Sequence, residues 1–469
     1  MASPAKAGSP GQRADATASR ERILLAASAL FSDRRTSMTQ VAAAAGVGRS
    51  TLYRHFPTRD ALAAALQESD GPAAEVTTLG YQPPGRLGRE APVALDVIHI
   101  LDEVPPHLIA DQLVAEARRA AAVPVALYVV DIDGSQLLRL AGSEDFPETL
   151  AAPPALGPEI VPEGLPVFFQ TLRETMPRCE ACPLWVRGRV IALLLCVGMP
   201  IQSLEDIAKQ GAAALELAGD YTDLIESARR RKPTTASAEV QQHLLPPRIA
   251  RVTGAQIAGG LLPSYEVGGD WFDFVENRDG SWLAIADSAG GGPTAAGLSA
   301  TGLGALRAAR RMGQDLVEAA YAMDEVVRQL GNPDFHISVI LARWHAPTGL
   351  LAYLNCGHPP GYVIALDGTL SELDGAVYPP LGAGEAKRDL VPASVTLESG
   401  DRLLLLTDGI TERSVEGGGV FGMDGVRQAI AAATAPTAAA TAMAIQHAVT
   451  RSWTEPLQDD ATLVVLAVD

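Results

Sequence analysis

With 469 residues, 47% of them hydrophobic and 20% charged, the chain is long enough for about three domains and excludes a polypeptide disordered throughout. The longest apolar run, Val190 to Ile201, is broken by Gly198 and Pro200, and Met1–Pro10 lacks an apolar signal core, so the expectation is a cytoplasmic protein without a membrane segment. The net charge of −18 is uneven: residues 1–70 carry nine Lys and Arg against six Asp and Glu, leaving −21 for the remaining 399 residues, which confines any nucleic-acid contact to the N-terminal head.

Residues 1–18 are small, polar and punctuated by Pro and Gly, the composition of a disordered tail. A small all-α domain is expected over residues 19–69. Ile23, Ala26, Ala27, Leu30 and Phe31 fall on one helix face. Thr39 is placed to cap a short helix through Val41–Ala45 that Gly46 ends. A third helix runs from Ser50 to Phe56 and stops at Pro57. Helix, tight glycine turn and helix make a helix-turn-helix. The stretch Thr39–Phe56, followed by Thr58-Arg59-Asp60-Ala61-Leu62, closely resembles the DNA-binding head of TetR-family repressors. The resemblance implies that Arg49, Ser50, Thr51, Tyr53, Arg54 and His55 meet DNA phosphates and base edges. A helical module that docks a protein partner is the competing reading. The helical dimerisation domain of that family does not follow, so two-fold operator binding needs another dimeriser.

Residues 70–92 read as a Pro/Gly-rich linker. Over residues 93–202, Val93–Leu101 and Leu108–Ala122 are predicted helical and Pro124–Asp131 a strand with a turn at Asp133-Gly134. A hairpin pairs Pro183–Val186 with Val190–Val197. This α+β order looks like a GAF sensor domain with an unknown small-molecule ligand. Four cysteines make no disulfide framework, which fits a reducing compartment. Cys179 and Cys182 could ligate a metal or form a redox pair, but without a second pair or a nearby His they read better as ordinary loop cysteines. Residues 203–237 are expected to be a helical linker. Leu204, Ile207, Gly211, Ala214, Ala218, Tyr221 and Ile225 recur at alternating three- and four-residue steps. That is the seam of a two-stranded coil and of a homodimer, or else one helix packed on the sensor sheet.

Residues 238–469 read as α+β, with strands at Ile257, Trp282–Asp287, Ile337–Trp344, Leu350–Cys356, Asp401–Thr407 and Ala461–Val468. Four carboxylates stand at the ends of these apolar runs: Asp270, Asp287, Asp408 and Asp459. Grouped without His or Cys, they favour hard, oxygen-loving cations. Singly, each is equally an ordinary turn residue.

Together with their surroundings they closely resemble SpoIIE-like phosphatases, the bacterial branch of the PPM (2C-type) protein Ser/Thr phosphatases. The likeness runs from Gln242-His243-Leu244-Leu245-Pro246 through Gly268-Gly269-Asp270, Asn355-Cys356-Gly357-His358-Pro359-Pro360 and Thr407-Asp408-Gly409 to Asp459-Asp460-Ala461-Thr462. It implies an αββα sandwich holding two Mn2+ or Mg2+ ions. Asp287 would bridge both with help from the Ser288 carbonyl, Asp270, Asp408 and Asp459 would complete the sites, and a metal-activated water would attack a phosphoserine or phosphothreonine. Where the family carries a Val-Ser pair and then a Lys, this chain has Ser288-Ala289 and Gly291. His358, among rigid turn formers, reads as structural.

The resemblances imply a metal-dependent protein phosphatase, controlled by a GAF-like sensor and fused to a TetR-like head. Its expected partner is a phosphorylated, STAS-type anti-sigma factor antagonist. The alternative is a TetR-type transcriptional regulator with a degenerate, non-catalytic phosphatase domain.

Overall fold

The computed structural model describes residues 104–262, 268–384, 389–455, 457 and 459–469, together with scattered positions between residues 23 and 62. Met1–Gly88 form one compact unit and Arg89–Asp469 another.

In the first unit, Ile23, Ala27, Val41, Ala42, Ala45, Leu52, Phe56 and Leu62 are buried in one apolar cluster. Ile23 with Ala27, and Leu52 with Phe56, stand four residues apart, as expected of helix faces turned inward. Thr51 and His55 are helical and half-buried. Arg49, Ser50, Tyr53 and Arg54 lie outside the described residues, as do the 1–18 tail, the 70–92 linker and the Val93–Leu101 helix.

The second unit begins with a sheet covered on both faces. Helix α1 (Ile109–Ala121) ends on Ala122, whose left-handed backbone closes its C-terminus. Strand β1 (Val125–Val130) is buried at all six positions. Val125, Leu127 and Val129 enter the core under α1, while Ala126, Tyr128 and Val130 enter the core on the opposite face, the two-residue period of a strand. Strands β2 (Gln136–Gly142), β3 (Thr149–Ala151), β4 (Ala155–Leu156), β5 (Glu159–Ile160), β6 (Cys179–Val186) and β7 (Arg189–Val197) complete the sheet, with helix α2 (Leu165–Thr175) between β5 and β6. Their order is β3-β2-β1-β7-β5-β4, with β6 also paired to β7.

Two expectations are corrected here. Cys179 and Cys182 sit in strand β6, not in a loop, because the hairpin strand begins earlier than its apolar residues suggest. Burial pushes both thiols up to about 11. The predicted seam helix is broken: α3 (Glu205–Ala218) stops, and a short helix α4 (Leu224–Ala228) follows. Leu204, Ile207, Ala214, Ala218 and Ile225 all enter the core shared with α1. Gly211 lies against the Leu113 side chain so closely that a Cβ would overlap it. The seam is spent on the chain's own domain. Tyr221, the one seam residue left outward, is 79% exposed.

Helix α5 (Ala236–Leu244), capped by the Thr235 side chain, leads into a sandwich. One six-stranded sheet contains β10 (Asp270–Asn277), β11 (Gly280–Ser288), β12 (Ile337–His345), β13 (Leu350–Cys356), β16 (Val377–Tyr378) and β17 (Ala393–Thr396). The other contains β15 (Leu370–Glu372), β14 (Tyr362–Ile364), β18 (Arg402–Leu406), β19 (Ala461–Val468), β9 (Ala255–Leu262) and β8 (Ile249–Val252), in that order. Phe272, Ile285, Ile340 and Leu351 of the first meet Ile257, Leu403, Leu405, Val464 and Leu466 of the second in a shared core. Helices α6 (Gly292–Arg311) and α7 (Leu316–Gln329) cover one outer face. The short α8 (Asp408–Thr411), with α9 (Gly422–Ala431) and α10 (Ala438–Arg451), covers the other. This is the αββα sandwich expected from the sequence.

The β1–β7 domain and the sandwich are joined directly. The Arg251 N–H donates to the Arg187 carbonyl at 2.9 Å, and the Ile249 N–H to Glu159 Oε2 at 2.8 Å. Among the described residues no helix is long and apolar enough to cross a membrane.

Candidate active site

Asp270 opens β10 and Asp287 stands at the far end of β11, directly opposite it in the antiparallel register. From the other sheet, Asp408 follows β18 at the start of α8, and Asp459 and Asp460 precede β19. Four predicted residues are thereby brought to one edge of the sandwich. The fifth carboxylate there, Asp460, was not among them. Its signal was present in the Asp459-Asp460 doublet, but only the fold shows that the second Asp turns inward.

Glycines permit this approach. A Cβ on Gly269 would overlap the Ser288 carbonyl oxygen, and one on Gly268 the Asp460 carboxylate. Ser288 N–H donates to the Gly269 carbonyl at 3.1 Å. The Ser288 side chain is buried, with its hydroxyl 3.0 Å from that of Ser299 and accepting from Trp271 Nε1 at 3.3 Å. The segment carrying the predicted carbonyl ligand is thus fixed from both sides.

Asp270 is buried and its Oδ2 accepts from the Thr407 hydroxyl at 2.8 Å. Burial, then the neighbouring Asp460 and Asp287, hold its carboxyl well above the usual range. Burial likewise pushes Asp460 up to about 7, although the Gln241 amide opposes this by donating to Asp460 Oδ2 at 2.9 Å. Asp287 is pushed up to about 6 by burial, with Asp408 and Asp459 adding their charge. Asp408, Gly409, Glu412, Arg413, Ser414, Leu457 and Asp459 line a hollow of about 200 Å³ beside them. Among the described residues none of these five aspartates forms an ion pair with Lys or Arg.

That donor set fits a hard divalent cation: oxygen ligands only, with an excess of negative charge. Among the described residues no three acidic, His or Cys side chains already stand close enough to cage an ion alone. Bound ions would therefore draw these carboxylates inward or take water as their remaining ligands.

His358 plays no part in this edge. It is buried, its N–H donates to Asn355 Oδ1 at 2.9 Å, and Asn355 Nδ2 donates back to its carbonyl at 2.8 Å. Burial pushes its imidazole down to about 4. A neutral ring bracing a turn is what the Gly-His-Pro-Pro sequence suggested.

Comparison with known proteins identifies the domain. Residues 277–469 match the family model for Stage II sporulation protein E (SpoIIE), and residues 23–66 that for bacterial regulatory proteins of the tetR family. The phosphoserine phosphatase RsbU of Bacillus subtilis (strain 168) is 27% identical over 231 residues, covering 49% of this chain and 68% of that protein. The RsbU and RsbW domains of Rv1364c from Mycobacterium tuberculosis match at 25% identity and a TM-score of 0.40, over 46% of this chain and 61% of theirs. The SiaA-PP2C domain of Pseudomonas aeruginosa matches at 22% identity and a TM-score of 0.43, over 55% of this chain and 100% of that domain. Of the more distant matches, RsbX was solved with magnesium and the PstP catalytic domain with two manganese ions. The C-terminal domain is accordingly a SpoIIE-type PPM phosphatase domain, homologous to RsbU, and the chain opens with a TetR-type head.

Proposed function

We propose that the chain is a Mn2+- or Mg2+-dependent protein serine/threonine phosphatase, governed by a GAF-like sensor domain and carrying a DNA-binding head. The observation that carries this reading is the convergence of Asp270, Asp287, Asp408, Asp459 and Asp460 on one sheet edge, none of them in an ion pair with Lys or Arg among the described residues. Asp287 and the Ser288 carbonyl, with Asp270, Asp408 and Asp459, are the residues that would hold two ions. Such ions supply an activated water and neutralise the charge of the phosphoryl group. The chain's own contribution is positional. Thr407 and Gln241 fix Asp270 and Asp460, the glycines keep the two sheets in reach, and the hollow beside Asp408 and Asp459 admits a phosphorylated side chain. Ala289 itself offers no general acid beside Asp287.

The substrate proposed is a phosphoserine or phosphothreonine of a STAS-type anti-sigma factor antagonist, so that turnover would release a sigma factor in the cytoplasm. Arg49, Ser50, Thr51, Tyr53, Arg54 and His55 are proposed to meet DNA, and the homodimer to form through a face other than the buried α3 seam. Retention of every carboxylate weighs against the alternative of a regulator with a degenerate domain. The test is phosphate release from a phosphoserine peptide by the full chain. Turnover with Mn2+ that chelation abolishes supports the proposal. A folded, metal-loaded chain inactive both whole and as residues 238–469 favours the regulator.

A further inference from the structure

Between the sensor sheet and the sandwich lies a cavity of about 310 Å³, a volume suited to a small molecule. Its apolar wall comes from Val129, Ile191, Leu215 and Leu245, and its polar wall from four arginines and their acidic partners. Three of the acidic groups, Glu159, Glu216 and Glu226, are already engaged. Glu159 accepts from Arg189 Nη1 at 2.6 Å and from the Ile249 N–H at 2.8 Å, and Glu216 takes the other Arg189 nitrogen. Glu226 is shared by Arg229 Nη1 at 2.6 Å and Arg230 Nη1 at 2.7 Å.

Arg248 is left over. It is 5% exposed, and its charged group lies 5.5 Å from the centre of the Phe272 ring. Its Nη2 donates to Gln242 Oε1 at 2.7 Å, whereas its Nη1, and Arg229 Nε across the same cavity, are buried with no hydrogen-bond partner. Glu159 and Glu226 offset its charge only from a distance, and a buried guanidinium without a carboxylate in direct contact is costly unless something anionic completes it. Burial does push Arg248 down to about 10.

We propose that this junction cavity is a binding site for a small organic anion. An oxyanion, carboxylate or phosphate, is held by Arg248 Nη1 and Arg229 Nε, and an apolar body lies against Ile191 and Leu215. The site is separate from the carboxylate edge and stands whether or not that edge is catalytic. One connection between them is visible: Gln242, which touches Arg248, is the neighbour on α5 of Gln241, which touches Asp460.

The experiment is a titration of the full chain in chelator, so that no metal-held anion contributes, with benzoate, phenylphosphonate and inorganic phosphate as probes. The expected result is saturable binding of an aromatic probe, weakened about tenfold or more in Arg248→Met, the loss of roughly one charge-assisted hydrogen bond. Glu216→Gln, which removes a competing negative charge at the rim, is expected to tighten binding severalfold. Benzoate stronger than phenylphosphonate assigns a carboxylate ligand, and the reverse a phosphate. No saturable binding of any probe, or equal affinity in Arg248→Met, overturns the proposal. Should Arg248→Met fail to fold, unchanged affinity in Glu216→Gln overturns it alone.

Discussion

Gln241 Nε2 donates to Asp460 Oδ2 at 2.9 Å and to the Asp270 carbonyl at 3.0 Å. One side chain of the helix that enters the sandwich therefore braces both sheets at the carboxylate edge. Replacing it with Leu leaves buried Asp460 Oδ2 with only the longer bond from the Asp270 N–H at 3.3 Å. Gln241→Leu is expected to lose about 1–3 kcal/mol of stability and most metal-dependent turnover. Denaturant unfolding and phosphate release on the same sample check both. Full activity in the variant would show that α5 does not support the site.

The glycines make a second prediction. Gly269→Ala must displace the Ser288 carbonyl, which is backbone and cannot turn aside. Such overpacking costs about 1–3 kcal/mol, and the larger effect should fall on Mn2+ affinity, since the displaced oxygen is a proposed ligand. Gly291→Ala serves as the control, because nothing lies within 4 Å of its added Cβ and its backbone is extended. Calorimetric Mn2+ titration of both variants separates a specific effect from a general one.

His358 sets a pH dependence. Its folded imidazole is pushed down to about 4 from the usual 6.5, so the unfolded chain takes up this proton first as pH falls. The stabilising contribution is complete above pH 6.5, shrinks below it, and is gone once pH has fallen through the folded value. Relative to the parent, His358→Leu should therefore lose less stability between about pH 6.5 and 4, as read by thermal melts across that range. Parallel curves would contradict the buried, neutral ring.

Cys179 and Cys182, with thiols pushed up to about 11, should resist alkylation at neutral pH in the folded chain and react after denaturation. Rapid modification of either in the native protein would contradict the strand placement.

Much of this was legible in the sequence, for reasons that can be named. The sandwich strands are apolar runs bounded by Gly, Asp and Asn, and the metal-site candidates sit where those runs end. Asp270, Asp287, Asp408 and Asp459 could therefore be picked out without knowing how the two sheets face each other. What was hidden depends on which faces meet. Leu204, Ile207 and Ala214 carry the spacing of an intermolecular seam, and only the position of Leu113 on α1 shows that the face is already covered. Gln241 and Asp460 are separated by 219 residues, and no local pattern marks a polar residue that turns inward to meet a partner so distant. Arg248 follows two prolines, and only the fold shows that it is buried at the wall of the junction cavity.

The central claim is that the five-aspartate edge is a metal-dependent phosphatase centre. Its most direct test is a Mn2+ titration of the full chain with phosphoserine-peptide turnover followed in the same samples, beside Asp287→Asn and Asp408→Asn. The account predicts two bound ions and turnover that rises with occupancy in the parent, and in both variants weakened binding with turnover lost. Turnover that persists in chelator, or survives both substitutions, would contradict it.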